Sequence, residues 1–292
     1  RGEKPDAWPI ILHGGTLTPE QEAIPVANLE EVFYDPERML CTQTKQSLCM
    51  LQGGSDGVPS IRGNFGAATL LACAGLEQLV FPDKMPWLQE HLSKEQVVGM
   101  TPDDFQIQGT FERGLEFMRY ARAILGDSLA IYCMDMQGPL DLAHLLVGDA
   151  LFYEMYDDPQ FVHHVLELCL ELSIRAHTWM KEISGEPLTQ NFHSNALYAE
   201  NVGLRICEDT TAILSPAGIA EFAMPYTRRL AQHFGGAWVH YCGRSDALSE
   251  AASAMPEIRG INFGHVPGHE HDHPFEADMQ RCVDTGTVYF GS

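Results

Sequence analysis

At 292 residues, with 45% hydrophobic and 20% charged residues, the chain has the length for one large domain and the composition to bury a core, which excludes a disordered chain. Forty acidic residues against 18 basic ones give a formal charge of −22, which sets the surface against phosphate backbones and anionic membranes and excludes nucleic-acid binding as a main role. No stretch approaches the roughly 20 uncharged apolar residues that span a bilayer, so the expectation is a cytoplasmic protein acting on a small molecule, with no membrane partner, as a monomer or a homodimer.

Short runs rich in β-branched and aromatic residues alternate with longer helical patterns, the arrangement of parallel strands joined by helical crossovers. The first runs are at residues 8–13, 58–65 and 129–134. A charged segment at 80–109, with Pro82, Pro86 and Pro102, reads as a surface insertion or as an excursion over a barrel mouth. Within it, Thr101-Pro102 followed by Asp103 and Asp104 predicts a helix start. The clearest helix is 159–183, capped by Asp158, opened by Pro159, and carrying Phe161, Val165, Leu172 and Ala176 at helical spacing. Strand-like runs follow at 188–192 and 204–210, then a helix from Ser215-Pro216 that Pro225 should kink. Runs at 237–242, 259–263 and 287–290 make eight, the number of a (β/α)8 TIM barrel formed by residues 1–292 as a single domain. The chain starts at Arg1 and stops at Ser292 as a strand-like run finishes, so it reads as a fragment with the barrel incomplete at its C-terminus.

Eight cysteines are spread along the chain without a compact framework, as expected of reduced thiols that are mostly core residues. Cys242 stands apart. In Ala237-Trp238-Val239-His240-Tyr241-Cys242-Gly243, strand alternation puts Trp238, His240 and Cys242 on one face and Val239 and Tyr241 on the other. With Val239 and Tyr241 toward surrounding helices, imidazole and thiol point into the barrel near its C-terminal mouth, where barrel enzymes work. A thiolate and a neutral imidazole so placed are half of a tetrahedral zinc site, although the bare spacing is a weak signal.

The segment 206–243, with Glu208-Asp209-Thr210, Ile213-Leu214-Ser215-Pro216, Glu221-Phe222, Pro225-Tyr226 and His240-Tyr241-Cys242-Gly243, resembles the uroporphyrinogen decarboxylase superfamily, closest to its cobalamin-linked methyltransferase branch. Lys4-Pro5-Asp6, Gly138-Pro139-Leu140, Leu145-Leu146-Val147-Gly148, Asp157-Asp158-Pro159 and Gly286-Thr287-Val288-Tyr289-Phe290-Gly291 extend the resemblance over nearly the whole chain. The resemblance implies a (β/α)8 barrel and two possible chemistries, cofactor-free decarboxylation of a tetrapyrrole and zinc-dependent methyl transfer involving a corrinoid. The haem-pathway decarboxylases carry Arg-Gln-Ala-Gly-Arg-Tyr and Phe-Ser-Asp segments early in the chain. Here the early region reads Leu12-His13-Gly14-Gly15-Thr16 and neither string occurs, which ranks decarboxylation of a carboxylated tetrapyrrole or small acid second. A non-catalytic barrel that binds a corrinoid or substrate ranks third.

The methyltransferase branch implies zinc on His240 and Cys242, with a corrinoid (cobalamin) as methyl carrier, on a partner protein or free, and a small thiol or other small molecule as the second substrate. That branch places its third ligand, a Cys, farther beyond the pair than this chain extends. Three sources of a third ligand stay open: Cys282, which otherwise reads as a core thiol on an outer helix; the loop from His265 to His273; and a residue past Ser292.

Asp209 falls at the inward side of a strand's C-terminal end, where a carboxylate binds substrate, serves as a general base, or simply caps the loop beside Thr210 and Thr211. Asn64, Asp135 and Asn262 lie at other strand ends and are expected to line the substrate pocket, the plainer alternative being turn formation or capping. The twelve methionines could bed a flat macrocycle, or serve only as adaptable packing.

Overall fold

The computed structural model of the chain describes residues 16–51, 56–193, 197–264 and 275–289. The predicted strand at 8–13 and the histidine-rich loop from His265 to His273 lie outside the described residues.

A wall of parallel strands organises the molecule. Leu204–Cys207, Ala237–Cys242, Ile258–Gly264 and Val288–Tyr289 lie side by side in that order, all parallel. Ser60–Ile61 pairs in parallel with Ala130–Ile131, and Gln137, just beyond that strand, bridges in parallel to Cys207. Parallel strands cannot be joined by tight turns, so each link crosses back through a helix. The helices Gly109–Leu125, Pro139–Val147, Pro159–Ser184, Met224–His233, Asp246–Ser253 and Phe275–Thr285 supply those crossovers. Between wall and helices sits the core, where Leu204, Ile206, Val239, Tyr241 and Ile261 are all almost wholly buried. Among the described residues no helix is long and apolar enough to cross a membrane.

The helix predicted at 159–183 is present as Pro159–Ser184, with Asp158 Oδ1 accepting from the Phe161 amide at its start. Pro225 has its expected effect one turn early: Ile219–Ala223 is wound as a π turn before the regular helix resumes at Met224, because a proline nitrogen has no hydrogen to continue the ladder. Two expectations need correction. Thr101-Pro102 opens only a single tight turn, Pro102–Asp104, and the long helix begins at Gly109. The Asp104 carboxylate closes that turn back onto the Thr101 amide, and Gln106 then donates its own amide to the Cys73 carbonyl, drawing the chain away from a helical path. The run near 188–192 becomes the strand Gln190–His193, but its partner is the antiparallel strand Leu197–Glu200 of a local hairpin. Part of the 80–109 segment is fixed to the outer layer: Leu92 donates to the Leu146 carbonyl, and His91 Nδ1 bonds the Leu145 carbonyl, at the C-terminal end of the Pro139–Val147 helix.

Candidate active site

The site is built by strand register. Cys207, His240 and Asn262 are direct neighbours on three adjacent parallel strands, so their side chains form one row across the wall. Cys242 is two residues farther along the middle strand, on the same face and exposed at its end. On the opposite face Val239 is wholly buried, and Tyr241 packs among Ser249, Asp278 and Arg281 of the outer helices. The inward direction of His240 and Cys242 expected from alternation is therefore what the fold produces.

The polar contacts within this row are specific. Asn262 Oδ1 is hydrogen-bonded to His240 Nδ1, which takes the ring proton and leaves Nε2 with a free lone pair. Cys242 Sγ stands 3.5 Å from that Nε2. Zinc bonds of about 2.3 Å to sulfur and about 2.0 to 2.1 Å to nitrogen at a tetrahedral angle would separate the two donors by about 3.6 Å, so the pair already has the spacing of two corners of such a site. One donor atom each of Cys207, Asp209 and His240 also falls within 4.8 Å of the others. Sulfur, nitrogen and carboxylate oxygen are donors that zinc takes, and an imidazole oriented by an amide through its other nitrogen is a usual ligand.

Asp209 is carried by the tight turn Asp209–Ile213 that follows the Leu204–Cys207 strand, and its Oδ1 accepts the Cys242 amide at 2.6 Å. Two carboxylates behind it fix that turn. The Asp209 and Thr210 amides donate to Asp141 Oδ2 and Oδ1 at 2.9 and 2.8 Å, and Asp141 sits in the first turn of the Pro139–Val147 helix. In return the Asp141 amide donates to Glu208 Oε2 at 3.3 Å, and Thr227 donates to Glu208 Oε1 at 3.2 Å. Each acidic side chain thus satisfies amides at the start of the other's helical segment, where backbone donors are otherwise unpaired. Burial pushes the Asp141 carboxyl up to about 7 and the Glu208 carboxyl well up, with the negative charge of Asp209 adding to the rise at Asp141 and that of Asp141 adding to the rise at Glu208.

This arrangement explains Gly138 in the Gly138-Pro139-Leu140 motif. A Cβ there would lie 2.3 Å from Glu208 Oε1 and 2.7 Å from Ile206 Cγ2. Gly138→Ala is expected to destabilise the fold by about 1–3 kcal/mol through overpacking, measured as a lower denaturation midpoint with unchanged slope; an unmoved midpoint would show that Glu208 can give way freely.

Asp135 lies one layer deeper. Arg205 forms a close ion pair with it, and Arg62 Nη1 adds a second at 3.3 Å. Arg62, Asp135 and Arg205 line one cavity, so Asp135 is already engaged by two cations. Asn64 is not brought to this cluster: its amide nitrogen Nδ2 contacts Met85 Sδ and its backbone N–H contacts Met39 Sδ. Cys282 is buried on the Phe275–Thr285 helix, near Asp278, Arg281 and Tyr289, in the core position expected of it.

Burial sets the protonation of these donors. Burial, reinforced by the Asp209 carboxylate, raises the Cys242 thiol to about 11. Burial raises Cys207 well above the ordinary thiol value, and burial together with the Arg205 charge lowers His240. At neutral pH the imidazole is neutral and both thiols are protonated, so a bound metal ion would displace thiol protons as it enters.

Comparison with known proteins bears on the family and the fold. Residues 1–267 match the family model described as uroporphyrinogen decarboxylase (URO-D). The chain belongs to the uroporphyrinogen decarboxylase family. Among solved structures, a methyltransferase from Methanosarcina mazei is similar with a TM-score of 0.68 at 15% sequence identity, covering 99% of this chain and 79% of that one. No curated protein matches the chain. At that identity the structural likeness speaks for the fold, and family and neighbour together make the URO-D architecture here a TIM barrel. In such a barrel the C-terminal ends of the strands form the working face, and Cys242, Asp209 and the turn at Gly243 lie there.

Of the residues singled out from sequence, His240, Cys242, Asp209 and Asn262 come together, Asp135 supports them through Arg205, and Asn64 stays apart. Cys207 was missed. Alternation in the run Arg205-Ile206-Cys207 already put it on the inward side with Asp209, but only the register between strands shows it level with His240.

Proposed function

We propose that this chain is a zinc-dependent methyltransferase of the uroporphyrinogen decarboxylase family, moving a methyl group between a corrinoid carrier and a small thiol or other small molecule. The observation that carries the reading is the 3.5 Å approach of Cys242 Sγ to His240 Nε2 with Asn262 holding the other ring nitrogen. His240 and Cys242 would hold the metal. When bound, zinc would keep a substrate thiol as thiolate at neutral pH, the form that accepts a methyl group.

The chain's own residues have separable tasks. Asn262 fixes the His240 tautomer, so that Nε2 always faces the metal position. Asp209, tied to the Cys242 amide, holds a carboxylate beside the exposed end of the site, in reach of the proton an incoming thiol must lose. The Asp141 and Glu208 caps keep Asp209 in that position. Arg62 and Arg205 would bind substrate carboxylates in a decarboxylase, but both are already paired with Asp135.

The test is thiol-dependent demethylation of free methylcobalamin by the zinc-loaded chain, followed by the change in corrinoid absorbance across a panel of small thiols. Demethylation that needs both enzyme and thiol is the expected result. No turnover with any thiol, together with release of carbon dioxide from a porphyrinogen, would contradict the proposal.

A further inference from the structure

We infer that Cys207 is the third protein ligand of the proposed metal centre, in the role that a later cysteine was expected to play. The inference rests on the zinc reading above and deepens it. Cys207 and His240 are paired residues on adjacent parallel strands, which brings their side chains up from the same face about 4.8 Å apart at the backbone. Their donor atoms, with that of Asp209, all lie within 4.8 Å of one another, which puts Cys207 and His240 within reach of a common ion. The Cys207 thiol is 2% exposed and makes no hydrogen bond among the described residues. It is also surrounded by charge, with Arg205, Asp209, Asp135 and Asp141 all near it. Cys169, on the buried face of the Pro159–Ser184 helix, has fewer charges about it, the Glu208 carboxylate being the one that acts on its thiol.

Cys207, His240 and Cys242 would then supply two sulfurs and one nitrogen, with the Asp209 carboxylate held beside Cys242. Three protein ligands with one open position is the composition of a catalytic zinc site. Binding forms two metal–sulfur bonds and one metal–nitrogen bond, and the two thiol protons leave to solvent.

Cobalt(II) titrated into the metal-free 292-residue chain under reducing, oxygen-free conditions tests this, because thiolate-to-cobalt absorbance in the near ultraviolet scales with the number of thiolates bound. The wild type should show the intensity of two thiolates per cobalt. Cys207→Ser and Cys242→Ala should each lower that intensity about twofold and weaken binding by more than about tenfold, while Cys282→Ser should change neither. Full intensity in Cys207→Ser, or halved intensity in Cys282→Ser, would overturn the assignment while leaving the His240 and Cys242 site intact. No cobalt binding by the wild type would remove the zinc reading itself, and this inference with it. Zinc-edge X-ray absorption on the wild type gives a readout that does not depend on how Cys207→Ser folds: two sulfur neighbours are expected, and one would contradict the inference.

Discussion

Cys242→Ala is expected to lower the proposed methyl transfer by about 10³-fold or more while leaving the fold nearly unchanged. The thiol is exposed at the end of its strand and its side chain contacts His240, so truncation opens no core cavity. Its stability cost should stay within about 0.5 kcal/mol. What is lost, on the proposed function, is a corner of the zinc site. Burial, with Asp209 adding to it, holds the remaining Cys207 thiol on the protonated side at neutral pH, and a free substrate thiol near its ordinary value is also mostly protonated, a poor methyl acceptor. Steady-state demethylation of methylcobalamin, with thermal unfolding of the same sample, checks both halves. A variant that retains a tenth or more of the wild-type rate would show that Cys242 is not at the reacting centre.

The largest stability effect is expected away from the site. Lys181, near the end of the long Pro159–Ser184 helix, and Glu186 are both about 1% exposed in their side chains, with Nζ and Oε2 2.6 Å apart. Lys181 also donates to the Gln190 carbonyl at 2.6 Å, and Glu186 Oε1 accepts the Phe192 amide at 2.7 Å. The pair therefore pins the helix end to the Gln190–His193 strand. Burial pushes the Glu186 carboxyl up, and the Lys181 ammonium offsets part of that shift. Lys181→Met leaves a buried carboxylate and a carbonyl without their donor, and should cost about 3–5 kcal/mol, a large share of the 5–15 kcal/mol that holds a typical domain folded. Glu186→Gln alone, which keeps a neutral acceptor for both donors, should cost less. Urea unfolding of the three proteins decides it, and a loss under about 1 kcal/mol in Lys181→Met would mean that water reaches the pair.

Some of this was legible in the sequence. The Asp158-Pro159 start and the apolar stripe after it carry their own local signals, and so does the break that Pro225 forces. The alternation through Val239 and Tyr241 was enough to aim His240 and Cys242 inward, because a half-buried strand has only two faces. Thr101-Pro102 misled because a capping side chain can close a single turn as readily as it starts a helix, and the Cys73 carbonyl that diverts Gln106 is distant in sequence. Cys207 and the mutual capping of Asp141 and Glu208 were not legible for the same reason. They depend on which residues of separate segments stand level once the strands pair, and no periodicity within one segment encodes that register.

The most direct test of the central claim is elemental analysis of the chain and of Cys242→Ala, both purified under reducing conditions with zinc supplied and excess removed. About one zinc per wild-type chain, lost or nearly so in the variant, is what a centre on His240 and Cys242 predicts. Equal zinc content in the two proteins, or no zinc in the wild type at all, would contradict it.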